Sequence, residues 1–139
     1  MAIRTASAVW DGTLKEGTGN MKVGSGAFAA DFSFATRFEE KPGTNPEELL
    51  GAAQAGCFSM YLASLLTDAG YPPIQIRTSA RVHLGAGPRI TLIELETEAD
   101  VPEIDEPTFL DWVDDAKKNC PVSLALTGPE LQVTAQLVV

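Results

Sequence analysis

The sequence predicts an α+β fold in which strands come first, then one long helix, two strands, a short helix and a closing strand. Three observations carry that prediction. Residues 45–69 are apolar at nearly every helical position and have start and stop signals at the two ends. Residues 74–101 alternate apolar and polar side chains, the period of a half-buried strand. The first third has no helical period, and it places Phe28, Phe32, Phe34 and Phe38 all at even positions, one face of a strand.

Taken in order, Ala2 to Asp11 reads as a strand that ends in Asp11-Gly12, a hairpin turn signal. Thr13 to Val23 is more polar and gives a weaker strand pattern. Ala27 to Phe38 reads as a third strand with its four phenylalanines in the sheet core. A loop from Glu39 to Thr44 follows, marked by Pro42-Gly43. Asn45 then suits a helix N-cap, Pro46 the first helical position, and Glu47 and Glu48 the first turn. Asn45 with Glu48 forms the pattern of a capping box. The helix should run to about Ala69 and stop at Gly70, before Pro72-Pro73. Its apolar residues occupy nearly all faces, so it needs burial on all sides, and a second subunit would complete that burial. Ile74 to Leu84 predicts a strand with His83 on the polar face, Gly85 to Pro88 a turn, and Ile90 to Val101 another strand. After the acidic loop Pro102 to Pro107, Thr108 to Lys118 reads as a helix with Phe109, Trp112, Val113 and Ala116 inward. Leu131 to Val139 closes the chain as a strand.

The chain has 139 residues and a mass of 14.8 kDa, the size of one domain spanning residues 1–139. With 45% hydrophobic and 21% charged residues it can bury a core without disulfide or metal staples. The net charge of −9 and pI near 4.4 exclude ready binding to phosphate backbones or anionic membrane surfaces. No uninterrupted apolar run reaches the roughly 18 residues of a spanning helix, and Met1 to Trp10 lacks the shape of a signal peptide. The expected location is the cytosol.

Two cysteines and one histidine are too few for a structural zinc cage, so no metal or other cofactor is expected. A Ser-His nucleophile would need His83, and no nucleophile elbow accompanies it. Chemistry is left to the cysteines. Cys57 lies within the long helix among Gly51, Ala52, Ala53, Ala55 and Gly56; it is either a small buried hydrophobe or a thiol reached through a narrow gap. The helix glycines cost about 1 kcal/mol each relative to Ala, which points to a close approach to the backbone. Cys120 precedes Pro121; it caps a following short helix or ends the preceding one. A disulfide between them would stabilise the fold by roughly 4 kcal/mol in the chain-entropy account. Cytosolic proteins seldom use one for that purpose, so a pair that oxidises fits redox chemistry, although no CxxC motif is present. A reactive thiol needs a cation, and Arg37 is the attractive one, with Glu47 able to orient it.

Thr36-Arg37-Phe38-Glu39, the run from Gly43-Thr44-Asn45-Pro46-Glu47-Glu48 through Ala55-Gly56-Cys57-Phe58-Ser59-Met60, Asn119-Cys120-Pro121-Val122-Ser123 and Trp10-Asp11-Gly12 together resemble the osmotically inducible protein C (OsmC) family. The likeness covers essentially the whole chain, and it is closer to the OsmC branch than to the organic hydroperoxide resistance proteins. Gly56 and Gln54 depart from the family pattern, where Ala and often His stand.

The resemblance implies a single OsmC-like domain in an intertwined homodimer, with antiparallel sheets wrapped around long central helices. It implies a thiol-dependent peroxidase that reduces organic hydroperoxides, with Cys57 peroxidatic, Cys120 resolving, Arg37 and Glu47 activating, and a dithiol (lipoyl-type or small) as reductant. The ten residues from Glu47 to Cys57 rise about 15 Å and turn about 280° along a straight helix. Arg37 and Glu47 are therefore expected to act on Cys57 across the dimer interface. The competing readings are a non-enzymatic binding protein or a peroxide sensor on the same fold.

Overall fold

The computed structural model describes residues 1–138, so Val139, the last residue of the expected closing strand, lies outside the described residues. Two compact units divide the chain, Met1–Leu49 and Leu50–Val139.

In the first unit, β1 (Ala6–Asp11), β2 (Thr18–Val23) and β3 (Ala29–Phe32) form an antiparallel sheet in sequence order. Gly12 turns the chain after β1 with a positive φ of 99°, as Asp11-Gly12 suggests, but six residues rather than two separate the strands. Trp10, Gly19 and Phe32 lie opposite one another across the three strands. The Trp10 and Phe32 rings meet 5.3 Å apart over Gly19, where a Cβ would come within 2.6 Å of both. Glycine is thus required there by the rings.

The expected strand from Ala27 to Phe38 is corrected. It ends at Phe32, and Phe34–Phe38 is a short helix, α1. Ser33 is its N-cap: Ser33 Oγ accepts from the Thr36 N–H at 3.3 Å, and Thr36 Oγ1 accepts from the Ser33 N–H at 2.8 Å. This reciprocal cap satisfies two backbone donors and outweighs the even spacing of the phenylalanines. Phe34 and Phe38 become an i,i+4 pair with ring centroids 4.9 Å apart.

Helix α2 (Pro46–Asp68) matches the expected long helix within a residue. Asn45 Oδ1 accepts from the Glu48 N–H at 2.8 Å. At the far end Gly70 adopts φ 93°, and the Tyr71 and Gly70 N–H groups return to Leu66 O and Thr67 O. This left-handed cap satisfies the free carbonyls of the last turn. A window within α2 has a mean hydropathy of 1.5, so the helix is long and apolar enough to cross a membrane by length and composition, although polar residues interrupt its apolar run. Its Gln54, Phe58, Leu62 and Leu66 are instead buried along one stripe.

In the second unit, β4 (Gln75–Gly85) pairs antiparallel with β5 (Arg89–Asp100), and β6 (Glu130–Val138) joins β5 in parallel. The parallel pair departs from the all-antiparallel expectation. Helices α3 (Glu106–Asn119) and α4 (Pro121–Ala125) form the crossover, and a crossover of this length returns the chain to the same end of the sheet. Asp105 caps α3 through the Thr108 N–H, so the helix starts two residues earlier than expected.

Phe58, Leu62 and Leu66 pack with Ile93, Leu95, Ala99, Phe109 and Val113 in one core. Gly51 lies against Val82 and Ala80, where a Cβ would meet them at 3.3 and 3.5 Å. This is one close backbone approach of the kind the helix glycines suggested, whereas Gly56 faces open space. A chain of hydroxyls from Ser59 through Thr78 to Thr97, at 2.7 and 2.9 Å, satisfies the polar groups between helix and sheet. Phe58→Ala should destabilise the protein by about 3–5 kcal/mol, read from the urea midpoint, because the removed ring leaves a cavity in a fully buried site.

Candidate active site

The sequence-predicted site residues fall into two constellations, one in each unit. In the first, α1 carries Arg37 and the opening turn of α2 carries Glu47. Asn45 Nδ2 donates to Thr36 O at 3.1 Å and ties the two helices together. Arg37 Nε and Nη2 both donate to Glu47 Oε1, at 3.0 and 2.8 Å, and Nε also reaches Oε2 at 3.3 Å. The fork holds the guanidinium in one plane. Glu47 is nearly buried, with its side chain 9% exposed, while Arg37 keeps 33% of its side chain exposed. The Nη1 edge of Arg37 bonds no group among the described residues, so it is free to receive an acceptor. The Arg37 guanidinium also lies 5.1 Å over the Phe38 ring.

A cavity of about 470 Å³ opens beside this pair, lined by Trp10, Leu14, Phe32, Phe34, Arg37 and Phe38 among others. It joins an apolar wall to one cation, and Phe32, Phe34 and Phe38, assigned from sequence to a sheet core, contribute part of that wall.

In the second unit, α2 presents Cys57, and the junction of α3 and α4 presents Cys120. Both are free thiols. Cys120 resolves the alternative left open by the sequence by ending one helix and starting the next. Its N–H closes α3 on Ala116 O at 3.1 Å, and its Sγ accepts from the Ser123 N–H at 3.4 Å as the N-cap of α4. It is fully buried, whereas Cys57 is half-buried.

Burial pushes the Cys57 thiol above its ordinary range. A hydrogen bond from the Val122 N–H opposes that rise, and the neighbouring Cys120 thiol adds to it. The second unit thus brings Cys57 and Cys120 together and favours the neutral thiol of Cys57 over its thiolate.

Sequence reasoning missed three further groups. Gln54 is 1% exposed, and its Nε2 donates to Ser123 Oγ at 2.8 Å and to Cys120 Sγ at 3.7 Å. Ser123 Oγ in turn lies 3.0 Å from Cys120 Sγ. The Val122 N–H serves Cys57. The available signal was a polar Gln54 on the same stripe as Gly51, Phe58 and Leu62, where an unpaired amide costs about 1–3 kcal/mol.

The family model described as "OsmC-like protein" matches residues 38–135. The chain is 46% identical to the Peroxiredoxin OsmC of Escherichia coli (strain K12) and to that of Shigella flexneri, over 96% of this chain and 96% of each relative. Among solved structures, an OsmC-like protein from Mycoplasma pneumoniae superposes with a TM-score of 0.74 at 18% identity, covering 99% of each chain. The organic hydroperoxide resistance protein OhrB of Bacillus subtilis gives 0.65 at 21% identity, covering 96% of this chain and 98% of that one. These structural likenesses extend to the fold.

The difference in exposure predicts an order of modification. Iodoacetamide should label Cys57 well before Cys120 in the reduced native protein, read by peptide mass mapping, and urea should abolish the difference.

Proposed function

We propose that this chain, a member of the OsmC family and a peroxidase, reduces organic hydroperoxides to alcohols through Cys57 and Cys120. The observation that carries this reading is the pairing of a half-buried Cys57 with a buried Cys120 on separate helices of one unit. The printed names of the relatives, a peroxiredoxin in two cases and an organic hydroperoxide resistance protein in another, support the same substrate class. The sequence-similar segment from residue 38 onward contains Glu47 and both cysteines.

In the proposed cycle the Cys57 thiolate attacks the outer oxygen of the hydroperoxide. The O–O bond breaks, the alkoxide takes a proton and leaves as an alcohol, and Cys57 becomes a sulfenic acid. Cys120 then attacks the Cys57 sulfur, the hydroxyl leaves with a proton as water, and the two sulfurs form a disulfide. A dithiol returns two electrons, and its own disulfide is the product. Arg37, its plane fixed by Glu47, supplies the positive charge that favours the Cys57 thiolate and meets the charge developing on the leaving oxygen. The apolar wall beside Arg37 suits the hydrocarbon part of an organic peroxide.

The active form in this reading is a homodimer, the two units of each chain acting as one functional domain in the cytosol. β1 is exposed along almost its whole length, and α2 leaves Ala52, Ala53, Gly56 and Met60 uncovered. A second copy would cover such surfaces. Glu47 and Cys57 are about 15 Å apart along α2, so each Arg37–Glu47 pair serves the partner's Cys57.

Titration of the reduced protein with cumene hydroperoxide should consume two thiols per chain and give a Cys57–Cys120 disulfide by intact mass. Cys57→Ser should not react, and Cys120→Ser should stop at the sulfenic acid. Survival of both thiols in excess peroxide would overturn the reading in favour of a binding protein.

Arg37→Ala should slow peroxide reduction about a hundredfold and raise the pH midpoint of Cys57 alkylation, because the thiolate loses its counter-charge while the burial penalty stays. Co-refolding Arg37→Ala with Cys57→Ser should give well above the activity of the two variants refolded separately. No recovery would place the Arg37–Glu47 pair with the Cys57 of its own chain.

A further inference from the structure

The hydrogen bonds around Cys120 have a direction. Ser123 Oγ accepts from Gln54 Nε2 at 2.8 Å, so one of its lone pairs is taken and its own hydrogen is available to the sulfur 3.0 Å away. The second N–H of the same amide points at that sulfur from 3.7 Å, and the Ser123 N–H reaches it at 3.4 Å. The amide turns its nitrogen to the sulfur, which keeps Gln54 Oε1 away from another electron-rich atom. Three donors therefore converge on Cys120 Sγ, two of them in place only because Gln54 stands at that point of the core face of α2.

We infer that Gln54 is a positioning residue for the reductive half of the cycle: it aims the Ser123 hydroxyl at Cys120 Sγ, so that this sulfur leaves as a hydrogen-bonded thiolate when the Cys57–Cys120 disulfide is reduced. The inference rests on the disulfide reading above and assigns its two sulfurs different roles. Cys57 is half-buried and Cys120 fully buried, so an incoming dithiol reaches Cys57. Its thiolate bonds to Cys57 Sγ, the Sγ–Sγ bond breaks, and the electron pair goes to Cys120 Sγ. The second thiol of the reductant then loses its proton and displaces Cys57 Sγ, closing the reductant's own disulfide. The protons given up by the two reductant thiols balance those taken up by Cys57 and Cys120. A leaving sulfur inside the core has no water to receive its charge, and the Gln54–Ser123 arrangement provides fixed donors in place of water.

The test starts from disulfide formed with diamide in the wild type, Gln54→Met, Ser123→Ala and the double variant, with the disulfide confirmed by intact mass. Reduction by dithiothreitol is then timed at pH 7. The first phase of reaction of each reduced protein with cumene hydroperoxide is measured alongside.

Each single variant should be reduced about tenfold more slowly, the worth of a hydrogen bond to a charged group. The double variant should lie within about twofold of Ser123→Ala, because Gln54 acts mainly through Ser123. The first phase with peroxide should stay close to the wild type in all three. Should Gln54→Met fail to fold, Gln54→Glu keeps the shape and replaces the donor by an acceptor, and its reduction should fall further behind that of the wild type as the pH rises. Reduction at the wild-type rate, additive slowing in the double variant, or an equal loss in the peroxide phase would overturn the inference. Absence of the disulfide in the wild type would overturn the disulfide reading itself.

Discussion

One partly buried hydrogen bond, from Gln54 Nε2 to Ser123 Oγ, joins the body of α2 to α4 across 69 residues of sequence. The placing of the two cysteines relative to each other is tied to that contact. Cys57 follows Gln54 by less than one turn of α2, and Cys120 is the cap of the helix that carries Ser123. Where the amide meets the hydroxyl, the two sulfurs are neighbours. The contact tolerates little variation, since Gln54 is 1% exposed and water cannot substitute for a lost partner. The apolar packing of Phe58, Leu62 and Leu66 on the sheet gives the bulk of the attraction, whereas the polar contact specifies how the two helices meet.

The two constellations handle charge in opposite ways. In the first unit a carboxylate and a guanidinium are paired through a two-point fork, and the free edge of the cation is left over. In the second unit burial raises the Cys57 thiol, and a single backbone N–H opposes it. A thiol held in its neutral form near neutral pH is protected from indiscriminate oxidation. In the proposed cycle it becomes reactive where a cation is supplied, and Arg37 is the cation that reading assigns.

The places where sequence reasoning failed are as informative as those where it succeeded. The even spacing of Phe28, Phe32, Phe34 and Phe38 is a true strand signal, yet the chain turns into a helix at Ser33. A local cap satisfies two backbone donors at once, and phenylalanines four apart pack as well on a helix as two of them do on a strand. That turn also puts Arg37 on a helix in reach of Glu47 rather than at the end of a strand. Gln54 was visible only as a departure from a family pattern. Its importance depends on Ser123, a residue 69 positions away, and periodicity within one helix carries no information about that partner.

By itself the sequence determined what is written in local chemistry. The span of α2 follows from Asn45, Pro46 and Gly70, the alternation of β4 and β5 from their period of two, and the family from the motifs around Cys57 and Cys120. Those features depend on neighbours within a few residues, so they are legible without a fold. Tertiary structure alone decided the parallel return of β6, the double capping role of Cys120, the plane of the Arg37 fork and the donors that converge on the Cys120 sulfur. The return of β6 and the reach of Gln54 to Cys120 join groups far apart in the chain, while the fork and the Cys120 caps join nearer ones; in all of them the energy is set by distance, direction and exclusion of water, which no linear pattern encodes.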